Sequence, residues 1–188
     1  NYIFTDTITS VHEDGFTLTS DFDGLTRIQE WACQPDGLVA LQLGGPTAAT
    51  LNSQEMQLQL EARNVTGVSF PSAIAAGDQW QHTLEFDGQM DMAGQSGEAQ
   101  GATQTNFHAI GSESVSVPAG TFDAMKIQMD TVVTITVNYQ GLNVPVTFRG
   151  TYLYWFGPNI GWVKAVGNGD IAGQSFTENI ELQWYNIP

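Results

Sequence analysis

The chain is predicted to be all-β: antiparallel strands in one strongly curled, half-barrel or barrel-like sheet, with a two-sheet β-sandwich as the alternative. Three observations predict this class. Apolar and polar residues alternate with period two in the clearest segments, clusters of Gly, Pro, Asn and Asp punctuate them, and no segment carries a 3.6-residue apolar stripe. Strands with one wet and one dry face belong to antiparallel sheets, and the dry face must be buried on the sheet itself or on a second layer.

The first strands are read at Tyr2–Val11, Phe16–Ser20, Leu25–Cys33 and Leu38–Leu43. Turn signals at Glu13-Asp14-Gly15, Asp21-Phe22-Asp23-Gly24 and Pro35-Asp36-Gly37 separate them. In Met56–Arg63, Met56, Leu58, Leu60 and Ala62 oppose Gln57, Gln59, Glu61 and Arg63. Pro71–Gly77 fits one short helical turn. The longest alternation runs from Trp80 to Met92: Trp80, His82, Leu84, Phe86, Met90 and Met92 form a dry face opposite Gln81, Thr83, Glu85, Asp87, Gln89 and Asp91. Ala93–Gly101, rich in Gly and Gln, reads as a mobile loop.

One hairpin can be registered outright. A two-residue turn at Gln140-Gly141 pairs Tyr139 with Leu142, Val137 with Val144, Ile135 with Val146 and Val133 with Phe148, all on one face. Asn138 then meets Asn143 on the other face, and a one-residue slip would scramble both. Pro145 blocks a further ladder on that strand's outer side. The remaining strands are Thr103–Ile110, Ser114–Val117, Met125–Met129, Gly150–Phe156, Trp162–Val166 and a last one with Phe176, Ile180, Leu182 and Trp184 in phase.

A length of 188 residues suits a single all-β domain, residues 1–188. Trp31-Ala32-Cys33-Gln34-Pro35-Asp36-Gly37 is echoed by Trp155-Phe156-Gly157-Pro158-Asn159-Ile160-Gly161, which suggests an internal duplication with pseudo-repeat halves 1–76 and 77–188.

Twenty acidic and five basic residues give a net charge of −15, yet charged residues make up only 13% of the chain, against roughly 25% in an average domain. The acidity therefore comes from missing Lys and Arg. The surface is left to Thr, Ser, Gln, Asn and Gly, which points to an extracytoplasmic protein: secreted, periplasmic, cell-surface or lipid-anchored in its precursor. The start at Asn1 fits a processed or trimmed chain. The scattered Arg27, Arg63, Lys126, Arg149 and Lys164 exclude nucleic acid as a partner, and no apolar run is long enough for a transmembrane helix.

Chemistry-bearing constellations are sparse. Cys33, the only cysteine, is read as a buried inert thiol. His12, His82 and His108 are dispersed, so neither a catalytic base nor a zinc site assembles from them. Asp21 and Asp23 lack the full calcium-loop spacing and read as a solvated turn. Glu30, Glu85 and Glu181 sit in strands, with nothing to bring two of them together for glycoside hydrolysis. Asn64-Val65-Thr66 is a chance match to a glycosylation acceptor. No catalytic residue, metal ligand or cofactor is assigned. The run Tyr152-Leu153-Tyr154-Trp155-Phe156 must place large apolar groups on both faces of one strand, so one face needs a second layer, a partner or a ligand. Tyr152, Tyr154, Trp155 and Trp162 are accordingly the candidate ligand-binding residues.

The segment Val115-Ser116-Val117-Pro118-Ala119-Gly120-Thr121-Phe122-Asp123-Ala124-Met125-Lys126 and the later Trp155-Phe156-Gly157-Pro158-Asn159-Ile160-Gly161-Trp162-Val163-Lys164 resemble two motifs of an uncharacterised family of bacterial extracytoplasmic, lipoprotein-associated β domains. Gly77-Asp78-Gln79-Trp80 and Trp31-Ala32-Cys33 with Gly37-Leu38 fit as well. The resemblance implies export and a kinship with curled-sheet carriers of lipoproteins or lipids; it brings no catalytic residues. The functional expectation is a non-enzymatic binding or structural module for an apolar small molecule or lipid. The alternatives are a carbohydrate-binding module using exposed aromatics, its ligand a glycan, and an uncharacterised hydrolase.

Overall fold

The computed structural model describes residues 3–22, 26–42, 56–92, 95–171 and 173–187, with the backbone alone for 56–58 and 92. The readings at Tyr2, Asp23 to Leu25 and Leu43 fall outside the described residues, as do the side chains of Met56, Leu58 and Met92.

Twelve strands form two sheets among the described residues. The first contains β1 (Thr5–Val11), β2 (Gly15–Asp21), β3 (Thr26–Gln34), β4 (Gly37–Ala40) and β6 (Phe70–Pro71), in the order β1-β2-β3-β4-β6. The second contains β5 (Met56–Gly67), β7 (Gln79–Met92), β8 (Gln95–Val117), β9 (Gly120–Tyr139), β10 (Leu142–Gly157), β11 (Gly161–Ile171) and β12 (Gln174–Glu181), in the order β12-β11-β10-β9-β8-β7-β5. The all-β antiparallel class is therefore correct. The single curled or barrel-like sheet is not what forms: neither sheet is closed or strongly curled, and the two-sheet alternative is the better description. The physical reason is a change of partner. β4 pairs with β6 and not with β5, while β5 pairs with β7 across the second sheet's edge.

The Gln140-Gly141 hairpin forms in the predicted register. Gln140 has φ 51° and Gly141 φ 86°, the double left-handed turn that matches strand twist. Asn138 Nδ2 donates to Asn143 Oδ1 at 2.9 Å. Val133, Ile135, Val137 and Phe148 are each 1–2% exposed. The β10–β11 ladder begins only at Phe148–Ile171, beyond Pro145.

Four readings are corrected. Ala93 and Gly94 lie outside the described residues, and the span 95–101 is not a loop, because β8 starts at Gln95. Its glycines make room for rings, since a Cβ at Gly97 would lie 2.9 Å from the Tyr139 ring and one at Gly101 2.8 Å from Phe86. Pro71–Gly77 forms no helical turn. An isolated turn closes at its end instead, where Asp78 N donates to Ala75 O at 3.1 Å and Asp78 Oδ2 accepts from Ala75 N at 2.7 Å, while Gly77 N bonds Ala109 O and no helix follows. Cys33 is exposed. It is in phase with buried Gln29, but it sits at the end of β3, beside the Pro35-Asp36 turn and beyond the cover of the core. Trp184 falls past the end of β12 and is 65% exposed.

The chain divides into two compact units, Asn1–Ser72 with His82–Thr103 and Thr134–Val146, and Ala73–Gln81 with Gln104–Val133 and Thr147–Pro188. In the first unit, Phe16, Trp31 and Phe70 stack in series at 5.9 and 6.0 Å on the five-stranded sheet. His82, Leu84, Phe86 and Met90 are buried on β7, and the His82 ring bonds the Ala40 backbone of β4, linking the two sheets. In the second unit, one face of β10 is buried through Phe148, Tyr152 and Tyr154, while the other is open at Arg149 and Thr151 and covered only at Leu153 and Trp155. The two echo segments, around Trp31 and Trp155, form the β3–β4 and β10–β11 hairpins.

Candidate functional site

The four aromatic candidates do not assemble as one platform. Tyr152 and Tyr154 share a face of β10, are 2% and 6% exposed, and lie 6.1 Å apart. Trp162 joins them through an edge contact with Tyr154 at 6.2 Å. A register shift between Trp155 and Phe156 makes this possible, because Phe156 then pairs with Trp162. Trp155 lies on the opposite face, buried with Ala124 and Val163 under Val115, Phe122, Ile160 and Leu182. The second layer demanded by alternation is thus supplied on the Trp155 side by the chain itself. Leu182 seals it through a backbone bond to Val163, and Tyr185 packs edge-on against Phe122.

The Trp155 cluster is also where the two motif segments meet. Trp155 Nε1 donates to Glu113 Oε1 at 2.6 Å. Lys126 Nζ lies 4.9 Å and Lys164 Nζ 6.0 Å from the indole ring, placing two of the chain's five basic residues against one aromatic. Each lysine has its own carboxylate: Lys126 with Glu113 at 3.3 Å and Lys164 with Glu181 at 2.9 Å. The indole N–H, with Lys126 beside it, holds the Glu113 carboxyl below the usual carboxylate range. With its charges matched and its indole buried, this cluster ties together five strands, β8 to β12.

Two other strand-borne glutamates are likewise paired. Glu30 accepts from Thr17 with both oxygens at 3.1 Å, and Glu181 is held by Lys164. Glu85 and His108 are exposed, and so is His12, which bonds Thr17 at 3.3 Å. Burial keeps the His82 imidazole below its ordinary range. No group of three His, Cys, Asp or Glu residues is placed to hold a metal among the described residues. The described inward faces are filled by their own side chains: Phe86, Met90, Ile135 and Val137 expose 1–2% of their surface, so a water-sized sphere touches almost none of them.

An open concavity lies on the outward face of the first unit. A groove of about 780 Å³ crosses β5, β7, β8, β9 and β10. Each of these five strands contributes one amide to it: Gln59, Gln89, Gln100, Asn138 and Asn143, in sheet order from β5 to β10. Glu61, Asp87 and Glu98 line it too, and its single basic residue, Arg63, is paired with Asp87 at 3.1 Å. The register shift between Ala62 and Asn64 makes Arg63 the extra residue of a bulge, which bends the edge strand. Alternation places Gln59, Gln89 and the Asn138–Asn143 pair on polar faces, while Gln100 falls in the segment read as a loop. The available signal was the recurrence of amides at outward positions.

The DUF3108-like family model matches residues 31–166. The chain belongs to the DUF3108-like family. The matched span contains both motif segments and the whole Lys126–Trp155–Lys164 stack, while β1, β2 and β12 lie outside it. The family is one of unknown function. No curated protein matches the chain, and no solved structure does.

Proposed function

We propose that this DUF3108-like chain is a non-enzymatic, extracytoplasmic binding module whose ligand lies in the outward groove of the first unit. The observation that carries it is a concavity of about 780 Å³ to which five adjacent strands each contribute one amide, a volume within the ordinary range for ligand sites. Glu61 and Asp87 are cross-strand neighbours, but Asp87 is tied to Arg63 and half open to solvent. Neither sits in the closed apolar pocket that tunes a carboxyl for acid catalysis. Scarce Lys and Arg and a surface of Thr, Ser, Gln and Asn support the extracytoplasmic assignment.

The test is ligand-observed NMR of the wild type and of Gln59→Ser/Gln100→Ser against a panel of neutral, acidic, basic and lipid-like small molecules. Binding that the double substitution weakens, with the ligand recovered unchanged, is expected. A ligand that binds both proteins equally, or that is converted to product, would refute the reading.

A further inference from the structure

We infer that the groove's ligand is a neutral oligosaccharide laid across the strands over Gln59, Gln89, Asn138 and Asn143, with Glu98 in line between Gln89 and Asn138 and Gln100 one row further along β8; this rests on the groove being the binding site. Five strands at about 4.8 Å spacing span roughly 19 Å, which suits an oligomer better than a single sugar. A side-chain amide offers two donors and an acceptor in one plane, complementary to a hydroxyl that both donates and accepts. Asn138 and Asn143 are oriented in advance by their mutual bond and by Gly141 N, which donates to Asn138 Oδ1 at 3.0 Å. Gln59, Gln89 and Gln100 have no hydrogen-bonded side-chain partner among the described residues and are open to solvent, so sugar hydroxyls would replace only water.

Charge decides against the other classes. Three carboxylates line the groove, and its one guanidinium is neutralised by Asp87; an anionic ligand finds no unpaired cation there. A cationic ligand gains little, because Glu61 and Glu98 are exposed and their attraction is screened by water and salt. An apolar ligand finds only Leu60 and Ala99 among the lining side chains.

The experiment is isothermal titration calorimetry with maltoheptaose and cellohexaose as neutral probes, oligogalacturonate as the anionic probe, a glucosamine oligomer as the cationic probe, and glucose as the monomer. At least one neutral oligomer is expected to bind, with Kd on the order of 0.1–1 mM because hydrogen bonds exchanged with water yield little net affinity. Binding is expected to be unchanged by 0.5 M salt, to exceed that of glucose, and to weaken about fivefold in Gln89→Ser. No binding of either neutral oligomer at 10 mM, or binding only of the cationic oligomer with loss in salt, overturns the inference. In the latter case, sensitivity to Gln89→Ser leaves the groove reading standing. A neutral oligomer that binds Gln89→Ser and Gln59→Ser/Gln100→Ser as well as the wild type refutes the groove itself.

Discussion

Gly167→Ala sets two effects of opposite sign against each other. Gly167 lies within β11, paired with Tyr152 and Glu178, with a backbone that does not need glycine. Removing glycine's freedom from the unfolded chain stabilises such a site by about 0.4–1 kcal/mol. An added Cβ, however, would lie 2.3 Å from Tyr152 Cδ1 and 2.7 Å from Thr151 O. The ring cannot retreat freely, because Tyr152 is 2% exposed and Tyr154 stands 6.1 Å away. Overpacking of this kind costs about 1–3 kcal/mol, so the clash wins and the net loss is about 1–2 kcal/mol. Thermal unfolding followed by circular dichroism should show Tm lowered by roughly 2–8 °C, using about 2–4 °C per kcal/mol for a chain of this size. Tyr152→Val removes the obstructing ring and leaves only the Thr151 carbonyl at 2.7 Å, so in that background Gly167→Ala should cost less than in the wild type, a coupling of about 1 kcal/mol. A higher Tm for Gly167→Ala alone, or an equal loss in both backgrounds, would show that the ring does not lie over the glycine.

Two titrations should divide the acid limb of stability. The His82 pKa is lowered by burial, so its contribution is complete above 6.5, the ordinary value, and is lost as pH falls below it; His82→Gln should remove that slope. The Glu113 pKa is lowered by its indole and ammonium partners, so its contribution is present above 4.5 and is lost only as pH falls further; Glu113→Gln should flatten that lower window and leave the upper one unchanged, as read from Tm against pH. Gln140→Asn should raise stability by about 0.5–1 kcal/mol, measured by urea unfolding, because Gln140 has φ 51° and Asn tolerates that region better. Cys33, being exposed, should react with Ellman's reagent in the native protein about as fast as after denaturation; protection in the native state would contradict its placement at the end of β3.

How much was legible before folding follows from the range of each signal. Alternation is local, so the dry face of β7 was readable from Trp80 to Met90, and the β9–β10 register followed from one turn and four apolar pairs. Gly97 and Gly101 misled because their role depends on rings brought from other strands: a glycine under a ring looks, in sequence, like a glycine in a loop. Cys33 misled because phase gives the face of a strand and not where the cover ends. The aromatic run at Tyr152–Phe156 correctly demanded cover on both faces, but which segment supplies it depends on Leu182, 27 residues beyond Trp155.

The sequence by itself determined the class of this protein. Side chains on alternate residues point to opposite faces wherever a chain is extended, and the acid–base imbalance needs no coordinates. Only tertiary structure decided that the strands divide into two sheets, that two lysines flank Trp155, and that five amides from five strands line one groove. Strand order and register bring together residues as far apart as Gln59 and Asn143, and no local pattern encodes a neighbour at that distance.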